Sequence, residues 1–383
     1  MTYSLAAYGR MIADSRRIHA YSEALRRTVS EGSVVLDIGT GTGIFAILAC
    51  RFGAKRVYAL EPSAIIEIGR EIACANGFSD RIEFIQESSD RVELPEKVDL
   101  IISDLRDTLP YFRHHLPSLA DARQRFLKPG GVMIPIVDRV YAAVVEAPKI
   151  YENQLEGWAP IGPGLDLSCV KKRALNQFSK VRAKPDQLMV EPHEWAVVDY
   201  LNVNDWNSAR VLGWKIKRSG TGHGVVVWFD TILCEGVGFS NSPSAEEMVY
   251  GSAFFPWLKP VELQIGDRVK VFLEARLVGD DYLWRWDTTV FESRQKDVVK
   301  AEFKQSTFHA WPVRPASLLK QTGRYVPRLN EEGELDQFVL SLMDGKRDID
   351  EIAGILMNRF PNRFRSMDAA LKWVGRLSEK YSY

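Results

Sequence analysis

Cysteine is scarce in this chain: four in 383 residues, at 50, 74, 169 and 234, with no CxxC pair and no metal-ligand spacing. That excludes a disulfide scaffold and a zinc ribbon, and the scattered thiols read as reduced residues of a cytoplasmic protein. No metal site is expected. Charge of one sign is lacking as well. Fifty Lys+Arg balance fifty Asp+Glu, so no global field recruits nucleic acid or an anionic membrane. No apolar run approaches the roughly 20 residues of a membrane span. The opening Met-Thr-Tyr-Ser-Leu-Ala-Ala-Tyr-Gly-Arg has no secretion-signal core. Internal repeats and low-complexity segments are also missing. What is present is an ordinary globular composition, 46% hydrophobic, in a chain long enough for two or three domains.

Residues 34–43, Val-Val-Leu-Asp-Ile-Gly-Thr-Gly-Thr-Gly, carry the strongest local signal. A β-branched run enters a Gly-x-Gly-x-Gly turn, and Ile44-Phe45-Ala46-Ile47-Leu48-Ala49 then starts a buried helix. Glycines 39, 41 and 43 let the backbone turn tightly with no Cβ between chain and ligand. The next strand, 56–60, ends at Glu61 and Pro62, an acid placed to accept hydrogen bonds from a ribose diol. A dinucleotide turn has a different spacing, Gly-x-Gly-x-x-Gly. With Asp37 ahead of the glycines and no arginine after Glu61 for a 2′-phosphate, the site suits S-adenosylmethionine better than NAD. Asp37 either holds the cofactor ammonium through the turn or caps the turn itself.

From 34 to about 137 the chain alternates strands (34–38, 56–60, 82–85, 98–102, 132–137) with helices. This is the pattern of a doubly wound, Rossmann-like α/β sheet, and two helices within 5–30 precede it. Lys128-Pro129-Gly130-Gly131 reads as a turn. After 138, segments 139–146, 195–203, 211–217, 224–233, 268–277 and 283–291 alternate like strands of an antiparallel β-barrel or sandwich, interrupted by an irregular stretch near 151–190. Pro312, Pro315 and Pro327 mark a link. Helical periodicity then returns at 334–343, 348–360 and 366–381, with Asp348 as N-cap. The expected domains are 1–137, 138–312 and a helical module at 316–383.

Residues 11–312 resemble the protein arginine methyltransferases, a family with a cofactor-binding sheet followed by a β-barrel. Met11 to Tyr21 is similar to that family's N-terminal helix, and Arg17 falls where an arginine pairs with the methionine carboxylate. Asp37, Gly39 and Gly41 fall on the glycine motif and Glu61 on the ribose-binding acid. Ser89 and Asp90, before Val92-Glu93-Leu94-Pro95, fall where backbone and acid contact adenine. Ile101-Ile102-Ser103-Asp104 matches the strand end that opens the catalytic loop. Gly164 to Lys171 resembles the arm through which members dimerise. The resemblance therefore implies a homodimer that methylates a protein or peptide side chain. The family's loop carries two glutamates; here the first position is Asp104 and the second is Arg113, a like charge where a substrate guanidinium would sit. The Thr-His-Trp loop is replaced by Met248-Val249-Tyr250.

Asp104, with Asp107 in reserve, is the candidate that orients the acceptor or takes its proton; the alternative for either acid is helix capping before Leu109-Pro110-Tyr111. His114 and His115 invite a general-base role but read more naturally as solvated or packed. Tyr3 and Tyr8 resemble the family's aromatic lid vaguely, and Trp195, Trp206, Trp214, Trp228, Trp284 and Trp286 read as core. The tail has a faint likeness to the small pyrroloquinoline-quinone D-type domains, which grip peptide leaders by strand addition. Alternatives remain a small-molecule N- or O-methyltransferase, an idle cofactor-binding protein, and an NAD-dependent oxidoreductase.

Overall fold

The computed structural model describes residues 4–158, 165–293, 298–312 and 314–382. Two helices, α1 (Leu5–Ala13) and α2 (Ser15–Thr28), come first. Asp14 separates them, its carboxylate accepting from the Arg17 amide at 3.1 Å as the α2 N-cap. Then β1 (Val34–Ile38), α3 (Ile44–Arg51), β2 (Arg56–Leu60), α4 (Ile66–Ala75), β3 (Ile82–Ile85), β4 (Val98–Ser103), α5 (His115–Phe126) and β5 (Leu127–Ile134) follow. The five strands form a parallel sheet in the order β3-β2-β1-β4-β5. Chain order reverses at β1, so β1 and β4 are adjacent and their carboxyl ends open on one crevice, the usual ligand position of such sheets. Lys128 to Gly131 is strand rather than a free turn. The β4–β5 register shifts there, with Gly130 at φ 77°, so the turn residues supply a bulge inside a longer β5.

The second half of this unit adds β6 (Val137–Val145), α6 (Pro148–Glu156), α7 (Ser168–Ala174), β7 (Ser179–Val181), β8 (His193–Asp199), β9 (Ser208–Lys215), β10 (Gly220–Cys234), β11 (Val237–Ser240), β12 (Ser252–Leu263), β13 (Arg268–Val278), β14 (Asp281–Phe291) and β15 (Val299–Phe303). One antiparallel sheet runs β7-β12-β10-β6-β8 with β11 on β10; another runs β15-β14-β13-β9. Their inward faces meet in an aromatic core, with Trp195, Trp257, Trp284 and Trp286 almost wholly buried. Trp206 is only partly buried, packed against it. The core is continuous with that of the parallel sheet, since Leu36, Ile101 and Leu119 belong to the same cluster as Trp284 and Phe255. The described part of the arm-like stretch near 151–190 contains α7 and the end of α6; its expected first residue, Gly164, lies outside the described residues, as does Tyr3.

A second compact unit begins at Pro312. It holds α8 (Pro315–Leu319), α9 (Glu331–Leu342), α10 (Ile349–Arg359) and α11 (Met367–Tyr381) around a core of Leu335, Val339, Ile352, Leu356, Phe364 and Val374. Asp348 caps α10 by accepting from the Glu351 amide at 2.8 Å. Helix α8 falls within the expected link: Pro315 at its first position is compatible with helix because the missing N–H would be unpaired there anyway. Among the described residues this unit has no strand, so it offers no sheet edge for strand addition.

Candidate active site

The glycine turn is pinned to the neighbouring strand: the amides of Gly39 and Thr40 both donate to the Leu60 carbonyl, at 2.9 and 3.0 Å. Gly39 and Gly41 have φ of 71° and 55°, a region that side chains disfavour. A side chain would also force its neighbours to move. A Cβ on Gly39 would lie 2.3 Å from Leu105 Cδ2, and one on Gly41 would lie 2.8 Å from Tyr8 Cε1. Tyr8, on α1, and Leu105, beyond β4, thus flank the turn. Gly43 is the α3 N-cap.

Asp37 is buried beneath this turn. Burial drives its carboxyl up to about 7, against the hydrogen bonds it accepts from Thr40 Oγ1 at 2.6 Å and from the backbone at Ala46. It both braces the turn and holds a charge that a cation would stabilise. Glu61 stands half-buried at the end of β2, one oxygen accepting from the Ser63 amide (3.0 Å) and hydroxyl (2.6 Å), and exposed Pro62 follows it. Ser89 is buried; its carbonyl already accepts from Arg125. Asp90 is exposed and bonded to the Ser88 hydroxyl, which holds its carboxyl below the usual range. Ser103 Oγ donates to the Ile38 carbonyl at 3.0 Å, stitching β4 to β1.

Directly past β4, Asp104 is the hub of a cluster. Arg17 Nε and the Tyr250 hydroxyl both donate to its Oδ2 at 2.6 Å. Arg106 approaches Oδ1 with Nε and Nη2 at 3.4 and 3.3 Å. Burial opposes ionisation here, but the two guanidinium charges and the Tyr250 and Arg17 hydrogen bonds outweigh it and hold the carboxyl below its ordinary range. Asp104 is therefore an anion at neutral pH and a weak proton acceptor. Arg17 also donates from Nη1 to the Met11 carbonyl at 3.3 Å and lies over Phe45, its carbon 5.0 Å from the ring centre.

Arg106 is more deeply held. Its side chain is 0% exposed and pairs with Asp138, also 0% exposed, at 2.7 Å. Nη1 also donates to Thr231 Oγ1 at 2.8 Å and Nη2 to the Tyr21 hydroxyl. Phe229, Phe239 and Tyr250 lie within 4.9, 5.6 and 5.9 Å of its guanidinium carbon. The chain of contacts continues through Asp138 Oδ2 to the Tyr200 hydroxyl (2.6 Å) and on to His115 Nε2 (3.0 Å). His115, pushed down to about 3 by burial and by the Arg106 charge, is neutral. His114 is exposed beside Asp280, 3.2 Å away. Asp107 faces Lys180 of β7 rather than joining the Asp104 cluster.

One expectation from the sequence requires correction. Arg113 does not bring its charge to Asp104. Its backbone adopts φ 44°, its amide faces Asp281 at 3.4 Å, and its exposed side chain lies over Phe112. The like charges beside Asp104 come from Arg17 and Arg106 instead. The loop carrying Asp104 and Arg106 is anchored by Tyr111, edge-on to Trp195 at 5.1 Å, and by Asn241, which donates to the Thr108 carbonyl at 3.2 Å. Arg106, Asp138 and Thr231 carry no motif. A basic residue two places past a strand-end acid was the available hint.

A family model described as ribosomal protein L11 methyltransferase (PrmA) matches residues 21–149, and one described as the arginine methyltransferase oligomerization subdomain matches 138–289. Protein arginine N-methyltransferase 6 of Xenopus tropicalis is 30% identical over 291 residues, covering 72% of this chain and 83% of the frog protein. The chain belongs to the protein arginine N-methyltransferase family. Protein arginine N-methyltransferase 1 of Dictyostelium discoideum is 28% identical over 302 residues, 76% of this chain and 84% of its own. Among solved structures, Arabidopsis thaliana protein arginine methyltransferase 10 superposes with a TM-score of 0.69 at 23% identity, covering 79% of this chain and 97% of that one. The Trypanosoma brucei PRMT1 enzyme–prozyme complex with AdoHcy gives 0.69 at 22% identity, covering 78% and 96%. Both likenesses bear on the fold. As a family member the chain is an S-adenosylmethionine-dependent methyltransferase, and the Rossmann-like sheet, antiparallel second half and helical tail agree with that assignment. No helix of the described residues is long and apolar enough to cross a membrane.

Proposed function

We propose that this chain transfers a methyl group from S-adenosylmethionine to a side chain of a protein or peptide, with Asp104 receiving the acceptor. The supporting observation is the placement of the buried Asp37 turn and the Asp104 hub at the ends of adjacent strands β1 and β4. The residues present fit the cofactor. A Cβ on Gly39 or Gly41 would press on Leu105 or Tyr8, and Asp37 is a buried acid whose anion a cation would stabilise. Gly39, Gly41 and Gly43 would lie along the cofactor, Asp37 would hold its ammonium, Arg17 its carboxylate and Glu61 its ribose. Pro62, Ser89, Asp90 and Ser103 complete the proposed lining. When bound, the cofactor supplies a methyl group on a cationic sulfur, already electrophilic. The protein's task is then to position and desolvate the nucleophile.

The reading also includes a homodimer formed through the arm near 151–190, a cytoplasmic setting and a role for residues 316–383 in holding the substrate. Incubating the full chain with cofactor and peptide pools, then mapping mass gains of one methyl, tests it; cofactor binding without transfer to any peptide would sink it. Deleting 316–383, a separate compact unit, should leave cofactor affinity intact and cut transfer to protein substrates at least about tenfold, the gain that tethering ordinarily provides at low substrate concentration. Full activity in the shortened chain would make the tail dispensable and favour a small-molecule acceptor.

Asp37 gives a pH signature. Its folded pKa of about 7 lies above the ordinary carboxyl value. By itself it contributes stability that is full below about pH 4 and is lost as pH rises through about 7. A bound ammonium needs the anion and works the opposite way. Cofactor affinity should thus fall roughly tenfold from pH 8 to pH 6, and Asp37→Asn should bind weakly with a flat profile. Calorimetry across that range checks this; an equally steep profile in the variant would remove Asp37 from the role.

A further inference from the structure

Arg113 is turned outward and Asp107 faces Lys180, so Asp104 must aim the acceptor alone. A carboxylate free to turn about its Cβ–Cγ bond aims a nucleophile no better than its own plane is fixed. Three side chains touch it. Arg106 reaches Oδ1 only at 3.3 and 3.4 Å, and its short contact, 2.7 Å, goes to Asp138. Arg17 reaches Oδ2 at 2.6 Å but is also the residue proposed to meet the cofactor's carboxylate. The Tyr250 hydroxyl reaches Oδ2 at 2.6 Å as well. Among the described residues its one other hydrogen-bond partner is Arg17, whose Nε donates to it at 3.2 Å. Tyr250 is thus the short contact with no competing duty.

The hydroxyl is held from every side. Its ring stacks on Phe239, with centres 5.4 Å apart and planes 12° apart, and stands edge-on to Phe229 at 5.5 Å. The preceding amide, of Val249, donates to Asp14 Oδ2 at 2.7 Å, while Oδ1 of the same carboxylate caps α2 at the Arg17 amide. The following carbonyl, of Gly251, accepts from Asn241, whose own oxygen accepts from the Phe229 amide at 2.7 Å. A closed ring of contacts therefore joins the start of α2, the loop after β4 and the loop before β12. Burial and the Asp104 anion push the Tyr250 hydroxyl well above its ordinary range, so it stays a neutral donor at any working pH. A hydroxyl donating to a carboxylate makes a short, charge-assisted and directional bond.

We propose that Tyr250 is the positioning residue of this site: its hydroxyl fixes the plane of the Asp104 carboxylate, and through it the acceptor nitrogen, against the methyl donor. This rests on the side-chain methyltransferase reading above. The hydroxyl keeps its proton throughout and acts only through Asp104. A guanidinium is compatible with the arrangement, since the Arg17 N–H already meets Asp104 Oδ2 with Tyr250 in place. Tyr250 comes from the barrel half, so the part of the chain without a glycine turn sets the aim of the transfer.

The test uses the full chain with peptides of randomised flanks and one central arginine, the acceptor named for its relatives. Tyr250→Phe keeps the ring and its stacking and removes only the hydroxyl. It should lower kcat about 10- to 100-fold, the size of a lost hydrogen bond to a charged group. Peptide KM and calorimetric affinity for S-adenosylhomocysteine should stay within about threefold, as for an interaction used only in the transition state. In an Asp104→Asn background the same change should cost nothing further, because no carboxylate is left to aim. A group that merely packs would subtract equally in both backgrounds. Wild-type turnover by Tyr250→Phe overturns the proposal, as does an equal loss in both backgrounds or a loss confined to KM. Thermal unfolding checks that each variant is folded; where phenylalanine is not accommodated, Tyr250→Leu carries the same comparison. Transfer by wild type to no peptide would remove the side-chain reading and this assignment with it, whereas equal transfer by wild type and Tyr250→Phe would remove this assignment alone.

Discussion

Asp104→Asn should reduce methyl transfer by about 100- to 1,000-fold while changing cofactor affinity by no more than a few-fold. The reduction is of the size lost when a positioning group is mismatched to its partner. Every neighbour of Asp104 is a donor: Arg17 and Tyr250 on Oδ2, Arg106 on Oδ1. An asparagine must point its NH2 at one of those donors, so one contact becomes donor against donor and the remaining oxygen is claimed by the others. An acceptor N–H would then find no anionic oxygen. The groups around the glycine turn, Asp37 and Glu61, bond to Thr40 and Ser63 and do not touch Asp104; of the proposed cofactor residues Arg17 does, and its guanidinium stays charged in the variant, which is why cofactor affinity should change by only a few-fold. Steady-state transfer with parallel calorimetry separates the two quantities, and unchanged turnover would strip Asp104 of its assigned part.

The second large effect concerns stability. Arg106→Met alone should cost about 3–5 kcal/mol, since it leaves the fully buried Asp138 without its cation. For a unit of this size that corresponds to a fall in Tm of roughly 5–8 °C. Adding Asp138→Asn should restore most of it, because the asparagine keeps an oxygen for the Tyr200 hydroxyl and no longer buries a charge. The comparison is a double-mutant cycle read by thermal unfolding. If the single variant melts with wild type, water reaches the pair and the cluster is not the dry core that the distances imply.

The parallel sheet was legible because its signals are local. Val34 to Ile38 and Arg56 to Leu60 are short β-forming runs set off by glycine and acid, and the observed strands share those bounds. The barrel was legible only in part. Strand β12 escaped notice because Pro256 and Pro260 interrupt it, and proline argues against a strand until one sees that it sits opposite a register break, between Gly222 and Gly224 of β10. Helices α6 and α7 were hidden in a segment without sustained periodicity. The same division runs through the site. Asp37, Glu61 and Asp104 stand at strand ends and can be found by counting from a glycine turn. The partners that decide what Asp104 can do come from far along the chain: Arg106 meets Thr231 across 125 residues, and Asp104 meets Tyr250 across 146. No window of sequence contains both members of such a pair.

Because Leu36 and Ile101 of the nucleotide-type half pack into one apolar mass with Phe255 and Trp284 of the barrel, neither half owns a complete interior. Heating should melt residues up to Trp311 in a single transition, with the helical tail free to unfold at its own temperature. Transplanting only the donor half or only the acceptor half from a relative would expose a torn hydrophobic surface, so inheritance of cofactor handling and of acceptor choice is physically linked in this chain.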